Sequence, residues 1–289
     1  MNRRTLIKQL SALGLATVIP GSALARLLRK EHDPEVCLKA WKELSDFNAR
    51  RYAFRYLDPE EGLPNIFIYG DSISIGYTEF ARECLSGRAN LYRLHVNGGD
   101  SGSFIGKMEA FRTAMFQPYL EGGWDFKWDL IHFNVGLHDL KYLHERKLNK
   151  KEGVQVSSPG TYASNLGKII RYLQSTYPEA QLVFATTTPV PEGEPGRFKG
   201  DAARFNEVAL NVLKDLGNIH VNDLYTFSLP VMEQYAAGPG NVHFNNEGQR
   251  LQGMEVARFL GKELGIKPGA CPPADEVMRK FREYERNAQ

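Results

Sequence analysis

The sequence predicts an α/β protein: a three-layer α/β/α sandwich around a five-stranded, mostly parallel sheet of flavodoxin-like order. Short apolar runs recur along the chain, each stopping at a glycine or a polar residue, and segments with helical spacing lie between them. The 289 residues are 42% hydrophobic and 24% charged. That composition suits one large domain with a sizeable core better than a disordered or fibrous chain.

The strands are expected at residues 66–69, 91–96, 130–135, 181–185 and 218–221, and the helices between and after them at 77–84, 104–115, 162–177, 202–216 and 247–264. Such alternation requires right-handed crossovers and a sheet covered on both faces. Ligands then collect beyond the carboxyl ends of the strands, where the strand order reverses. Two long loops, 141–160 and 187–200, are expected to border that region, and the second carries Pro189, Pro191 and Pro195. Residues 64–264 make up the expected main domain. Residues 26–63 read as an N-terminal helical extension on its outside, with a helix over 34–51, and residues 265–289 as a charged, solvated helical tail. There is no internal repeat and no low-complexity tract.

The first 25 residues read as an export signal, not as part of the fold. Arg3 and Arg4 precede an apolar stretch that ends in Ala23-Leu24-Ala25, the layout of a signal peptide. The arginine pair resembles the twin-arginine signal, so the mature protein is expected in the periplasm or outside the cell. Cleavage after Ala25 removes Arg3, Arg4 and Lys8 and no acid, leaving 33 of the 36 basic residues against 34 acidic ones. No block of lysine and arginine interleaved with aromatics remains, so nucleic acid is not an expected partner. No later apolar run is long enough to span a bilayer, so stable membrane insertion is not expected either. The three cysteines, Cys37, Cys84 and Cys271, are too few and too scattered for a disulfide framework or a zinc cluster. A single Cys37–Cys271 bridge joining the ends stays open.

Four polar turns carry the chemistry. Gly70-Asp71-Ser72-Ile73 directly follows the first strand and places a serine at a helix amino end, where free N–H groups favour negative charge. Asn97-Gly98-Gly99-Asp100-Ser101-Gly102 follows the second strand, Gly136-Leu137-His138-Asp139 follows the third, and Asn241-Val242-His243-Phe244 precedes a late helix. Any one of these alone is an ordinary turn or cap. Together they converge on one crevice.

In this order, over roughly residues 64–264, the segments resemble the SGNH hydrolases, also called GDSL-like lipases and esterases. The resemblance implies that Ser72 is the nucleophile and His243 its general base. It also implies an oxyanion site formed by the Ser72 and Gly102 N–H groups and by the side chain at position 138. No metal or organic cofactor is implied.

The chain departs from the family pattern twice. The third block normally reads Gly-x-Asn-Asp, and His138 stands in place of the asparagine. A neutral imidazole donates one N–H, and a protonated one would stabilise an oxyanion more strongly and bring a pH dependence. The alternative is a histidine satisfied by loop carbonyls. The last block normally reads Asp-x-x-His, but Gly240 stands three residues before His243, with Asn241 next to it. Either a carbonyl orients a Ser-His dyad, or another acid substitutes. Asp223, at the end of the fifth-strand segment before a long loop, is the candidate, with a helix or turn cap as its other reading. Asp71 and Asp139 are expected to bind loop N–H groups, and His95 and His132 to be strand residues of the core.

The expected activity is that of an exported serine esterase working through an acyl-serine intermediate, with small acyl groups on carbohydrate as the leading substrate class. A lipase or thioesterase of the same fold is the near alternative. Two readings from other classes stay open. One is a metal-dependent hydrolase gathering His132, His138, Asp139 and His243, for which the spacing of His132 and His138 is poor. The other is a carbohydrate-binding protein on a hydrolase fold that has lost catalysis.

Overall fold

The computed structural model describes residues 32–288; the expected export signal over residues 1–25 lies outside them. Along the chain come β1 (Asn65–Tyr69), β2 (Asn90–Arg93) and β3 (Leu130–Phe133), then three short strands, β4 (Tyr142–His144), β5 (Lys147–Leu148) and β6 (Val154–Gln155), and last β7 (Gln181–Ala185) and β8 (Ile219–Asn222). The helices are α1 (Pro34–Ser45), α2 (Ser72–Leu85), α3 (Phe104–Met115), α4 (Pro159–Thr176), α5 (Asp201–Leu216), α6 (Leu224–Tyr235), α7 (Asn246–Leu264) and α8 (Ala274–Asn287).

The main sheet has the order β2-β1-β3-β7-β8 and every pairing in it is parallel. This is the expected flavodoxin-like order. Ile66, Phe67, Ile68 and Tyr69 are all buried, as a strand covered on both faces requires. Helices α2, α6, α7 and α8 pack together in one layer, and α1, α3, α4 and α5 in the other. β1 lies between β2 and β3, so the order reverses beside it, and the turn that carries Ser72 opens at that point.

The structure corrects several expectations. Helix α1 stops at Ser45 instead of running to residue 51, because Asp46 takes a positive φ of 49° and short 3-10 turns follow. The 141–160 loop folds into a small antiparallel sheet of order β5-β4-β6. The segment after Asp223, expected as a long loop, is helix α6, with Pro230 inside it. Its proline and its mixed apolar composition hid the helical period. His132 lies in β3, but His95 lies beyond the end of β2.

Both flanking segments dock on α2. Glu79 is fully buried and ion-paired to Arg55 and Arg82, while Arg82 also donates to the carbonyls of Leu91 and Ala53. Losing one partner would leave a buried charge uncompensated. Helix α8 is less solvated than expected. Val277 is buried, Lys280 meets Glu83 at 2.7 Å, and the Tyr284 hydroxyl donates to the Ala49 carbonyl at 3.0 Å.

The Cys37–Cys271 pairing is not one the fold permits. Cys37, on α1, donates to the Gly122 carbonyl at 3.5 Å, whereas the Cys271 thiol meets the Phe80 carbonyl at 3.8 Å on α2, in the other helix layer.

Candidate active site

The turn after β1 is built to present Ser72. The Asp71 side chain accepts the Ile73 N–H at 2.9 Å and caps α2, so Ser72 is the first helical residue. An aspartate cap of this kind contributes about 1 kcal/mol. The N–H of a first helical residue has no intrahelical acceptor. Gly70 and Gly98 bring the turns after β1 and β2 together, because the Gly98 N–H donates to the Gly70 carbonyl at 3.0 Å. A Cβ at Gly98 would stand 2.8 Å from that oxygen, so a side chain there would push the turns apart.

His243 arrives from the loop between α6 and α7. That loop is pinned at its base by the Ala237 N–H on the His243 carbonyl and the Asn245 N–H on the Tyr235 carbonyl, both at 2.8 Å. The imidazole Nε2 lies 2.8 Å from Ser72 Oγ. On its other side, Asn241 Oδ1 meets both the His243 backbone N–H at 3.0 Å and Nδ1 at 2.8 Å. The backbone N–H can only donate, so the atom it faces is the amide oxygen, and Nδ1 must therefore carry the proton. Nε2 is left as an acceptor toward Ser72. Burial lowers the His243 pKa, against the attraction of Asp71 and with the help of Arg197 and Lys141.

Asp223 is not the orienting acid. It caps α6, accepting the Thr226 N–H at 3.2 Å and the Thr186 hydroxyl at 3.1 Å. Asn241 stands where an acid was sought. A signal for it was present, since an Asn two residues before the histidine can fold its side chain back in an Asx turn. Gly240 also has a physical reason to replace the family carboxylate. Its φ is +65°, and a Cβ there would come within 2.8 Å of the Gly193 carbonyl. The loop that carries His243 is thus seated against the 187–200 loop, with no room for a side chain at position 240.

Gly102 does not offer a free N–H, because Asp100 Oδ1 takes it at 3.0 Å to close the short turn before α3. His138 stands in the turn after β3, half-buried, with the Lys141 ammonium 2.9 Å from Nδ1 and 3.4 Å from Nε2. Burial, then Lys141 and Arg197, pull its pKa down to about 3. This favours the neutral imidazole over the protonated form. The alternative reading of His138 fails, because its neighbour is an ammonium group and not a loop carbonyl. Among the described residues no hydrogen bond joins His138 to Ser72 or His243.

The surroundings are cationic but braced. The Arg197 guanidinium pairs with Glu194 at 2.5 Å and donates to the Leu137 carbonyl at 2.8 Å, tying the 187–200 loop to the turn that carries His138. Asp139 is fully buried and accepts the Ser101 N–H at 3.0 Å and the Ser101 and Ser157 hydroxyls at 2.5 and 2.7 Å. It locks the second and third turns together. His132 is also fully buried, with Asn222 at 3.3 Å, and burial pulls its pKa down to about 3. Among the described residues no three His, Cys, Asp or Glu side chains gather as a metal site.

Comparison with known proteins agrees with this architecture. The lipase/acylhydrolase from Enterococcus faecalis superposes with a TM-score of 0.51 at 18% identity, covering 70% of this chain and 97% of its own. The acetyl xylan esterase AlAXEase superposes with a TM-score of 0.50 at 16% identity, covering 66% and 97%. At such identities the likeness is one of fold. None of the curated proteins compared with the chain matches it. The sequence matches the GDSL-like Lipase/Acylhydrolase family over residues 68–251, a span that runs from β1 into α7. With the ordered turns of that span meeting beside Ser72, the chain belongs to the GDSL-like lipase/acylhydrolase family of SGNH hydrolases.

Proposed function

We propose that the protein is a serine esterase in which Ser72 attacks an ester carbonyl and His243 takes the hydroxyl proton. The observation that carries this reading is the chain of contacts from Ser72 Oγ to His243 Nε2 and from His243 Nδ1 to Asn241 Oδ1, each 2.8 Å long. The base is thereby held in the tautomer it needs. As the alcohol leaves, the imidazolium returns the proton to it, and the same base then activates water to release the acyl group. Asn241 orients the ring but carries no charge. Of the groups around His243, the buried Asp71 is the one whose charge would favour the imidazolium, against the effect of burial.

The Ser72 N–H and the His138 imidazole are the oxyanion donors in this reading. Small acyl groups on carbohydrate are the substrate class we favour, the chemistry named for an acetyl xylan esterase of the same fold. An aryl organophosphonate ester tests the mechanism directly, because only an activated serine displaces its leaving group. Stoichiometric labelling of the Ser72 peptide is expected. An unlabelled protein would leave the carbohydrate-binding reading standing.

The base works as neutral imidazole. With its pKa held below the ordinary 6.5, kcat/KM should hold steady as pH falls past that value and drop only in more acidic solution. Asn241→Asp puts a carboxylate beside Nδ1–H, which favours the imidazolium and should move that acid limb upward by about one pH unit. A pH–rate profile of the variant that coincides with wild type would mean Asn241 does not face the imidazole in the working enzyme.

A further inference from the structure

We propose that Cys84 and Cys271 form a disulfide that ties the segment leading into α8 to the carboxyl end of α2. Neither residue belongs to the esterase machinery, so the proposal stands apart from the reading of Ser72 and His243. Distant parts of the chain are brought together here by backbone contact. The Gly269 N–H donates to the Cys84 carbonyl at 2.7 Å, fixing position 271 two residues from that bond. The Cys271 thiol lies 3.8 Å from the carbonyl of Phe80, one helical turn before Cys84 on α2, and each thiol is close enough to perturb the ionisation of the other. Cys271-Pro272-Pro273 is a stiff run, because a residue before proline is held extended. With the backbone so placed, forming an S–S bond of about 2.05 Å asks the side-chain torsions of both residues to turn the sulfurs toward each other.

Access decides the order of events. Cys84 is 2% exposed and Cys271 is half-buried. The neighbouring Cys84 side chain, then the Arg250 guanidinium, favour the Cys271 thiolate against burial. With a small disulfide such as oxidised glutathione as oxidant, the Cys271 thiolate attacks one sulfur, breaks that S–S bond and releases one glutathione thiolate. Cys84 then gives its proton to solvent, and its thiolate attacks the Cys271 sulfur of the mixed disulfide, releasing the second glutathione. Two cysteine thiols are oxidised and one glutathione disulfide is reduced to two thiols. Cys37 takes no part, since its thiol is buried on α1 against Gly122.

The test uses the purified full chain incubated with oxidised glutathione, followed by unfolding, alkylation and non-reducing peptide mapping. A mass loss of about 2 Da and one linked peptide pair containing Cys84 and Cys271 are expected, with Cys37 alkylated. The thermal midpoint should rise by roughly 5 °C or more and fall back on reduction. Cys271→Ser and Cys84→Ala should each abolish both effects, and Cys271→Ser should keep the folded thermal transition of the reduced protein. Full alkylation of all three cysteines, glutathione retained on Cys271 without closure, or a link that includes Cys37 would each overturn the proposal.

Discussion

Replacing Ser72 by alanine should lower ester turnover by about 10⁵-fold or more, the scale on which a nucleophile acting with its base is lost. The fold should survive the change. Ser72 is the first residue of α2 and partly exposed, its hydroxyl meets His243, and the cap of the helix is supplied by Asp71. Alanine is the best helix former, so the thermal midpoint should not fall. His243→Ala should cost a similar factor, and the double variant little more than either single one, because nucleophile and base act as a unit. Measuring kcat on an aryl acetate for all three variants reads this out. Turnover of Ser72→Ala within tenfold of wild type would remove the nucleophile from the mechanism, whatever the geometry of the dyad.

Much of this site was legible in the sequence because its parts are local. A run such as Ile66-Phe67-Ile68-Tyr69 stopping at Gly70 announces a buried parallel strand and its turn, and Asp71 before Ser72 announces a capped helix. The pairing of His243 with Ser72 was implied by the resemblance of the ordered blocks to the SGNH hydrolases, and the loop between α6 and α7 brings the two to 2.8 Å. What the sequence hid depends on contacts between distant loops or on a choice of donor within one turn. The missing carboxylate of the last block makes Asp223 the candidate in the sequence, but its side chain is spent on capping α6. Helix α6 itself could not be read, because Pro230 interrupts its pattern. Gly102 looked free from its place in a glycine-rich loop, yet Asp100 two residues earlier takes its N–H. The placement of Cys271 beside the carboxyl end of α2 is set by a backbone bond from Gly269 to Cys84 that no spacing rule contains.

His138→Ala should lower kcat by about 10²- to 10³-fold, the loss expected when one oxyanion donor is removed. With its pKa near 3 and the Lys141 ammonium against it, the imidazole carries one N–H at every pH at which His243 works as a base. That N–H is then a fixed donor, and the neighbouring ammonium sharpens its polarity without protonating it. KM should change less than kcat, because negative charge on the substrate oxygen develops only in the transition state. His138→Asn restores a neutral donor and should keep much of the rate. Because His138 does not titrate in the working range, the acid limb of kcat/KM should remain that of His243 in both wild type and His138→Asn. A near-normal kcat in His138→Ala would show that the side chain plays no part in holding the oxyanion, and a shifted acid limb in His138→Asn would show that His138 is protonated where the enzyme works.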